Sequence, residues 1–291
     1  MKTNNAPRAP RCWIVLDIES AVLQDTAHKR YQAMERWVPS DDKPIRRGYL
    51  RSEDPLTCPR WVFQTVTTAA IMVLMEDAQG GVDVSRFVTL SAPDHDERAV
   101  LAGILQVLDE APAGAEIVSW MGIAHDLGLL VAGCMRHGLA LPDDWKWLSF
   151  GGQHRDRHID LARVMTAGMK MKPIHLAEVL AAMDIPGKIT APPFAITGLI
   201  YADRWDEVQS ACEIDVISTT CLLARWRRLI DRRAEADAVE DRILRRAMEL
   251  RGGRPYVPAL EAHRRRRFEA QYAKAANDAV RLAPWLEQDA A

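Results

Sequence analysis

After a polar, proline-containing stretch over residues 1–11, which reads as a flexible arm, the chain turns hydrophobic at Cys12. Trp13-Ile14-Val15-Leu16-Asp17-Ile18-Glu19 is dominated by β-branched and aromatic residues and predicts a strand over 12–19. Alternation along a strand puts Asp17 and Glu19 on one face, about 7 Å apart. Residues 39–60 collect Pro, Asp and Arg and read as a long loop. Trp61 to Met75 and Val82 to Leu90 predict two further strands, and Gln79-Gly80-Gly81 between them predicts a hairpin. From Pro93-Asp94 to Glu110 the apolar positions Val100, Ile104, Val107 and Leu108 recur at helical spacing. A fourth strand follows over Glu116 to Met121, then a helix from Asp126 to the His137-Gly138 stop. Trp145 to Phe150 predicts the fifth strand, 151–158 a polar loop, and 160–168 and 175–183 short helices. The remainder is helical: Trp205 to Arg233, then 234–251 and 259–282, broken at Gly252-Gly253-Arg254-Pro255. Strands interleaved with helices in this order indicate an α/β layer with a mixed sheet.

Composition narrows the class. The chain has 291 residues, 48% hydrophobic and 27% charged, as in an ordinary globular protein. The longest apolar run, around Ala69 to Met75, is too short to cross a bilayer, so no membrane association is expected. No apolar signal segment is seen near the N-terminus, and the five scattered cysteines form no C-x-x-C pair. These features lead us to expect a cytoplasmic protein without a disulfide framework or a zinc site. The net charge of -2 is unevenly spread: from Arg225 onward there are 16 Lys and Arg against 11 Asp and Glu. An acidic body suits cation binding, and a basic tail suits either phosphate contact or a solvated helix surface.

The acids carry the candidate chemistry. Two carboxylates on one strand face repel each other, and a divalent cation with oxygen ligands is the simplest reason for them to persist together. The alternative is a strand that ends at Asp17 with its acids in water. On the late helix an apolar stripe runs through Val208, Cys212, Thr219, Leu222, Trp226 and Leu229, and Asp215 falls within it. A carboxylate on a core-facing stripe needs a cation, either a metal or one of the many arginines. Asp126 follows the fourth strand and has two readings, a further ligand or a helix N-cap.

Taken in order, these residues resemble the DEDD exonuclease superfamily, and within it the predicted 3′–5′ exonucleases related to the proofreading domain of family-B DNA polymerases. Ile117-Val118-Ser119-Trp120-Met121-Gly122-Ile123-Ala124-His125-Asp126 is similar to that family's V-(S/T)-F-N-G-x-x-F-D segment. His158-Ile159-Asp160-Leu161 is similar to its H-x-D-L, Ile185-Pro186-Gly187-Lys188 to its I-P-G-K, and Cys212-Glu213-Ile214-Asp215-Val216 to its last motif. The resemblance spans about 12–230. It implies a ribonuclease H-like fold: a mixed five-stranded sheet flanked by helices, with the nuclease domain over 12–233 and a basic helical C-terminal extension over 234–291. It implies Asp17, Glu19, Asp126 and Asp215 as catalytic ligands of two divalent cations, Mg²⁺ or Mn²⁺. The expected substrate is the 3′ end of single-stranded nucleic acid, DNA favoured, with Ile18, Trp120 and Lys188 at the substrate.

The chain departs from the pattern at a telling place. The family's tyrosine, four positions before the last Asp, is Ala211, and the histidine of the related branch, five positions before, is Ser210. Met121 stands where the family has Asn, and His125 where it has Phe. Tyr201, His125 and His154 are the candidate substitutes for the water-orienting group. The second functional expectation is therefore a catalytically weakened module that binds nucleic-acid ends or a protein partner. Arg264-Arg265-Arg266-Arg267 could grip a nucleic-acid backbone or pack the tail through the stripe Leu260, Phe268, Tyr272, Ala275 and Ala276.

Overall fold

The computed structural model describes residues 11–36, 54–150, 157–232 and 234–282. The arm over 1–10, most of the 39–60 loop and His154 lie outside the described residues. Five strands form one mixed sheet: β1 (Cys12–Ala21), β2 (Thr65–Glu76), β3 (Val82–Ser91), β4 (Glu116–Ser119) and β5 (His158–Asp160). Their order is β3-β2-β1-β4-β5. β1 runs antiparallel to β2 and parallel to β4, so it sits at the centre of the sheet. This is the expected ribonuclease H-like arrangement of a mixed five-stranded sheet flanked by helices.

The side-chain alternation of β1 sorts the molecule into two cores. Cys12, Ile14, Leu16 and Ile18 face a core shared with helices α2 (Glu97–Asp109) and α3 (Asp126–His137). Trp13 and Val15 face the opposite core, which contains Cys212, Ile214, Val216 and Ile217 of the long helix α7 (Trp205–Ile230). Asp17 and Glu19 continue the Trp13–Val15 series, so strand parity aims both carboxylates toward α7.

The structure corrects several boundaries. Trp61–Phe63 is a turn of 3-10 helix rather than the start of β2. The turn closes on itself, Gln64 N–H donating to Trp61 O at 2.9 Å, and Arg136 of α3 donates to Val62 O at 3.1 Å and to Gln64 O at 3.0 Å. The segment over 145–150, read as the fifth strand, belongs to a 3-10 helix, Asp143–Phe150. Trp145 and Leu148, three residues apart, are buried there, and the Trp145 indole donates to Leu108 O at 2.7 Å. The true fifth strand is the three-residue H-x-D segment, which the sequence divides between the end of a polar loop and the start of a short helix but which pairs in parallel with β4. Two helices had no counterpart in the pattern: α1 (Thr26–Met34) and α6 (Pro193–Tyr201). Short helices α4 (Leu161–Met165) and α5 (Leu176–Ala182) fall where expected.

The last two helices are α8 (Ala236–Leu250) and α9 (Val257–Leu282). Val239, Ile243, Leu244 and Ala247 of α8, with Tyr256, Val257 and Leu260, belong to the same core as β1 and α7. The arginine run is largely engaged in ion pairs: Arg264 with Asp241 at 2.8 Å, Arg266 with Asp184 at 2.7 Å and Arg267 with Asp237 at 2.7 Å. Among the described residues of the proposed apolar stripe, Leu260 is packed while Phe268, Tyr272 and Ala275 are exposed. Likewise the stripe on α7 ends before Leu229, which is 80% exposed. In its place Arg227 is buried over the Trp13 ring, its guanidinium carbon 4.1 Å from the ring centroid, and pairs with Glu76.

Candidate metal and nuclease site

Four parts of the chain meet at one cavity of about 200 Å³. β1 contributes Asp17 and Glu19, the N-terminus of α3 contributes Asp126, and α7 contributes Asp215 and Ala211. Lys188 enters from the loop between α5 and α6, Trp120 and His125 from the loop after β4, and Pro193 and Ile196 from α6. One carboxylate oxygen from each of Asp17, Glu19 and Asp215 lies within 4.8 Å of the others. Asp126 stands outside that tight trio but lines the same cavity.

Each acid is placed by local chemistry. A network from the H-x-D segment fixes the loop before Asp126. Asp160 accepts from Met121 N–H at 3.0 Å and Ile123 N–H at 3.4 Å, and also caps α4 through Arg163 N–H. The Ser119 hydroxyl meets His158 Nε2 at 2.8 Å and accepts from Gly122 N–H at 3.2 Å. A Cβ at Gly122 would lie 2.4 Å from that hydroxyl oxygen, so the close approach requires glycine. Met121, where the family has Asn, sits at φ 57°, in the left-handed region that Asn tolerates better. Asp126 does not act as an N-cap: the cap position is His125, whose Nδ1 lies 3.1 Å from Asp126 Oδ1.

Asp215 has a cation, and it is a lysine rather than an arginine. Lys188 Nζ donates to Asp215 Oδ2, while the buried Oδ1 has no partner. The loop that carries Lys188 is held against α7, with Ser218 Oγ donating to Pro186 O at 2.6 Å. A Cβ at Gly187 would lie 2.2 Å from Leu180 Cδ1. The Cys212 thiol donates to Asp17 O at 3.4 Å, and burial pushes its pKa up, so it is a packing residue and not a nucleophile.

Electrostatics set the four acids apart. Burial, then the charges of Glu19, Asp126 and Asp215, push the Asp17 carboxyl well above the usual range. Burial and Asp215 raise Glu19 to about 8, against the pull of Lys188. Asp126 and Asp215 are also raised, chiefly by burial, with His125 and Lys188 respectively drawing them back. One lysine does not neutralise this site. The unpartnered Asp215 oxygen, the converging carboxylates and their all-oxygen chemistry fit a hard divalent cation.

The remaining expectations divide. Trp120 and Lys188 line the cavity. Ile18 borders it too, but its side chain packs into the opposite core. Tyr201 is exposed and its hydroxyl donates to Val22 O at 2.8 Å; among the described cavity residues only His125 represents the three candidate substitutes. Ser210 is buried, its hydroxyl donating to Asp206 O one turn back. The sequence reading missed the wall formed by Pro193 and Ile196; Pro193 at the first turn of α6 was the available signal.

A family model described as "Predicted 3'-5' exonuclease related to the exonuclease domain of PolB" matches residues 60–258. The match begins after β1 and continues through α8 to the first residues of α9. No curated protein matches the chain. Similar solved structures include the family B DNA polymerase from the hyperthermophilic archaeon Pyrobaculum calidifontis, at 16% identity and a TM-score of 0.44, over 74% of this chain and 24% of that one. E. coli Exonuclease I in complex with a dT13 oligonucleotide is similar at 12% identity and a TM-score of 0.35, over 75% of this chain and 41% of that one. The chain thus spans about a quarter of the polymerase and two fifths of Exonuclease I.

Proposed function

Because this chain belongs to the family of predicted 3′–5′ exonucleases related to the exonuclease domain of PolB, we propose that its acidic cavity hydrolyses terminal phosphodiesters of single-stranded nucleic acid, DNA in the first instance, releasing nucleoside monophosphates from 3′ ends. The observation that carries this reading is the meeting of Asp17, Glu19 and Asp215 within 4.8 Å, with Asp126 in the same cavity. In this reading Asp17, Glu19, Asp126 and Asp215 would hold two divalent cations, Mg²⁺ or Mn²⁺. Such cations supply Lewis acidity and lower the pKa of water so that it attacks at neutral pH.

The protein's own groups do the rest. Lys188 offers a positive charge to an entering phosphate, and Trp120 a ring for stacking a base. The small, partly enclosed cavity suits a terminal nucleotide threaded from a single strand. We assign this chemistry to residues 12–233, with 234–291 as a helical extension. The five scattered cysteines, four of them buried, suit a reducing compartment such as the cytoplasm.

The test is digestion of a 5′-labelled single strand with Mg²⁺ or Mn²⁺. A stepwise ladder, lost in EDTA and in Asp17→Ala, is the expected result; an intact strand under all metals overturns the proposal. One observation favours a second reading. Ala211 faces the cavity where the family has a tyrosine, and the Ser210 hydroxyl is spent on its own helix. In that reading the protein binds nucleic-acid ends without cutting them, and wild-type binding without a ladder is its signature.

A further inference from the structure

Glu213 lies two residues before Asp215 on α7 and is fully buried. It does not face the cavity. Its carboxylate is held from the other side by residues of the turn between α8 and α9. Arg254 donates to both oxygens, Nε to Oε2 at 3.0 Å and Nη2 to Oε1 at 3.0 Å. The Tyr256 hydroxyl donates to Oε2 at 2.7 Å, and Thr89 of β3 donates to Oε1 at 2.6 Å. Arg251 adds an ion pair at 3.3 Å and ties the same turn to β3 through Phe87 O at 2.9 Å. Arg254 also reaches Gln209, one turn earlier on α7, at 2.6 Å.

Residues two apart on a helix point about 200° away from each other. A side chain gripped at Glu213 therefore fixes the rotation of α7 about its axis, and that rotation sets the aim of Asp215. A side-chain tip stands about 6 Å from the helix axis, so a turn of about 10° moves it by about 1 Å. A misplacement of that size is enough to lower a rate about 100-fold. The fork geometry of Arg254 resists such rotation better than a single hydrogen bond does, because two parallel bonds define a plane.

We propose that Glu213 is a positioning residue, and that the turn over 251–256 is the clamp that sets Asp215 for cation binding and catalysis. This rests on the nuclease reading of the cavity. It gives the C-terminal helices a role in the reaction without any contact with nucleic acid.

The experiment compares Mn²⁺ binding by calorimetry with single-strand hydrolysis kinetics in wild type, Arg254→Ala and Tyr256→Phe, each checked for folding by thermal melting. Arg254→Ala is expected to weaken Mn²⁺ binding about tenfold and to lower kcat about 100-fold, with KM within about twofold of wild type. Tyr256→Phe, which removes one hydrogen bond, moves the same quantities less. Arg264→Ala, which breaks a surface pair elsewhere on α9, leaves Mn²⁺ binding unchanged. If Arg254→Ala does not fold, Tyr256→Phe decides. A lowered melting point with wild-type Mn²⁺ affinity and kcat overturns the proposal. A wild type that binds Mn²⁺ but cuts nothing sinks the nuclease reading instead, and the clamp is then judged on Mn²⁺ affinity alone. A wild type that binds no Mn²⁺ removes both.

Discussion

At the scale of single residues, the site is a collection of charges that oppose one another. Glu19 is raised from 4.5 to about 8. A carboxyl whose pKa is higher when folded binds more protons in the folded state between those two values, so stability falls as pH rises through them. The raised Asp17, Asp126 and Asp215 act in the same direction. In EDTA the protein should therefore lose thermal stability from about pH 4.5 to about pH 8, and Glu19→Gln should flatten that slope. A melting series across this range checks it. Lys188→Met removes the one ammonium paired with Asp215 and should steepen the loss on the alkaline side. Met121 is a different residue-scale problem. A left-handed conformation costs a branched or long residue about 1–2 kcal/mol, so Met121→Asn should raise the unfolding free energy by about 1 kcal/mol, moving the denaturant midpoint up with an unchanged slope. Asp17, Glu19 and Asp215 were legible as one-dimensional patterns, since strand parity and a helical stripe announce where a side chain points. Lys188 as the partner of Asp215 was not, because that pairing joins a loop to a helix 27 positions away.

At the scale of elements, the three-residue β5 does more than its length suggests. Asp160 holds the Met121–Ile123 backbone and so sets the start of α3, where Asp126 sits. Asp160→Ala leaves those N–H groups without an acceptor and uncaps α4, which should cost about 1–3 kcal/mol in a chemical melt. It should also weaken Mn²⁺ binding, because the loop before Asp126 loosens; unchanged affinity in calorimetry would argue that Gly122 and Ser119 suffice. This strand was hidden in the sequence for a physical reason. Two of its three residues, His158 and Asp160, are buried yet polar, satisfied by Ser119 and by the loop, and a single apolar Ile159 sets no period. The Trp145–Phe150 segment deceived in the opposite sense: its aromatic residues look strand-like, while burial follows a three-residue step. α7 was legible over most of its length, being long and periodic, and failed only in its last turns, where Arg227 is buried and Leu229 exposed.

At the scale of the whole molecule, the proposed function makes the cavity a trade of stability for cation binding. Three acids pressed together, with Asp126 beside them, lower the stability of the metal-free fold, and on the proposed reading a bound divalent ion would restore it by mass action, about 2.7 kcal/mol at a concentration 100 times its dissociation constant. Asp17→Asn should accordingly raise the metal-free melting temperature and abolish the further rise with Mn²⁺. A wild type whose melting temperature ignores Mn²⁺ would count against any cation site here. The basic tail, read from charge alone as a possible grip on phosphate, spends Arg264, Arg266 and Arg267 on the acids of α8 and the loop before Lys188. Among the described residues no helix is long and apolar enough to cross a membrane.

By itself the sequence determined the strand that carries Asp17 and Glu19, the helix that carries Asp215, the mixed character of the sheet and the family, because periodicity and ordered motifs are local properties of a chain. Only the tertiary structure decided that a lysine holds Asp215, that Ala211 lines the acidic cavity, and that Glu213 is gripped by a turn beyond α8. Those facts depend on which distant segments share a few ångströms, and no periodicity along a single segment encodes that.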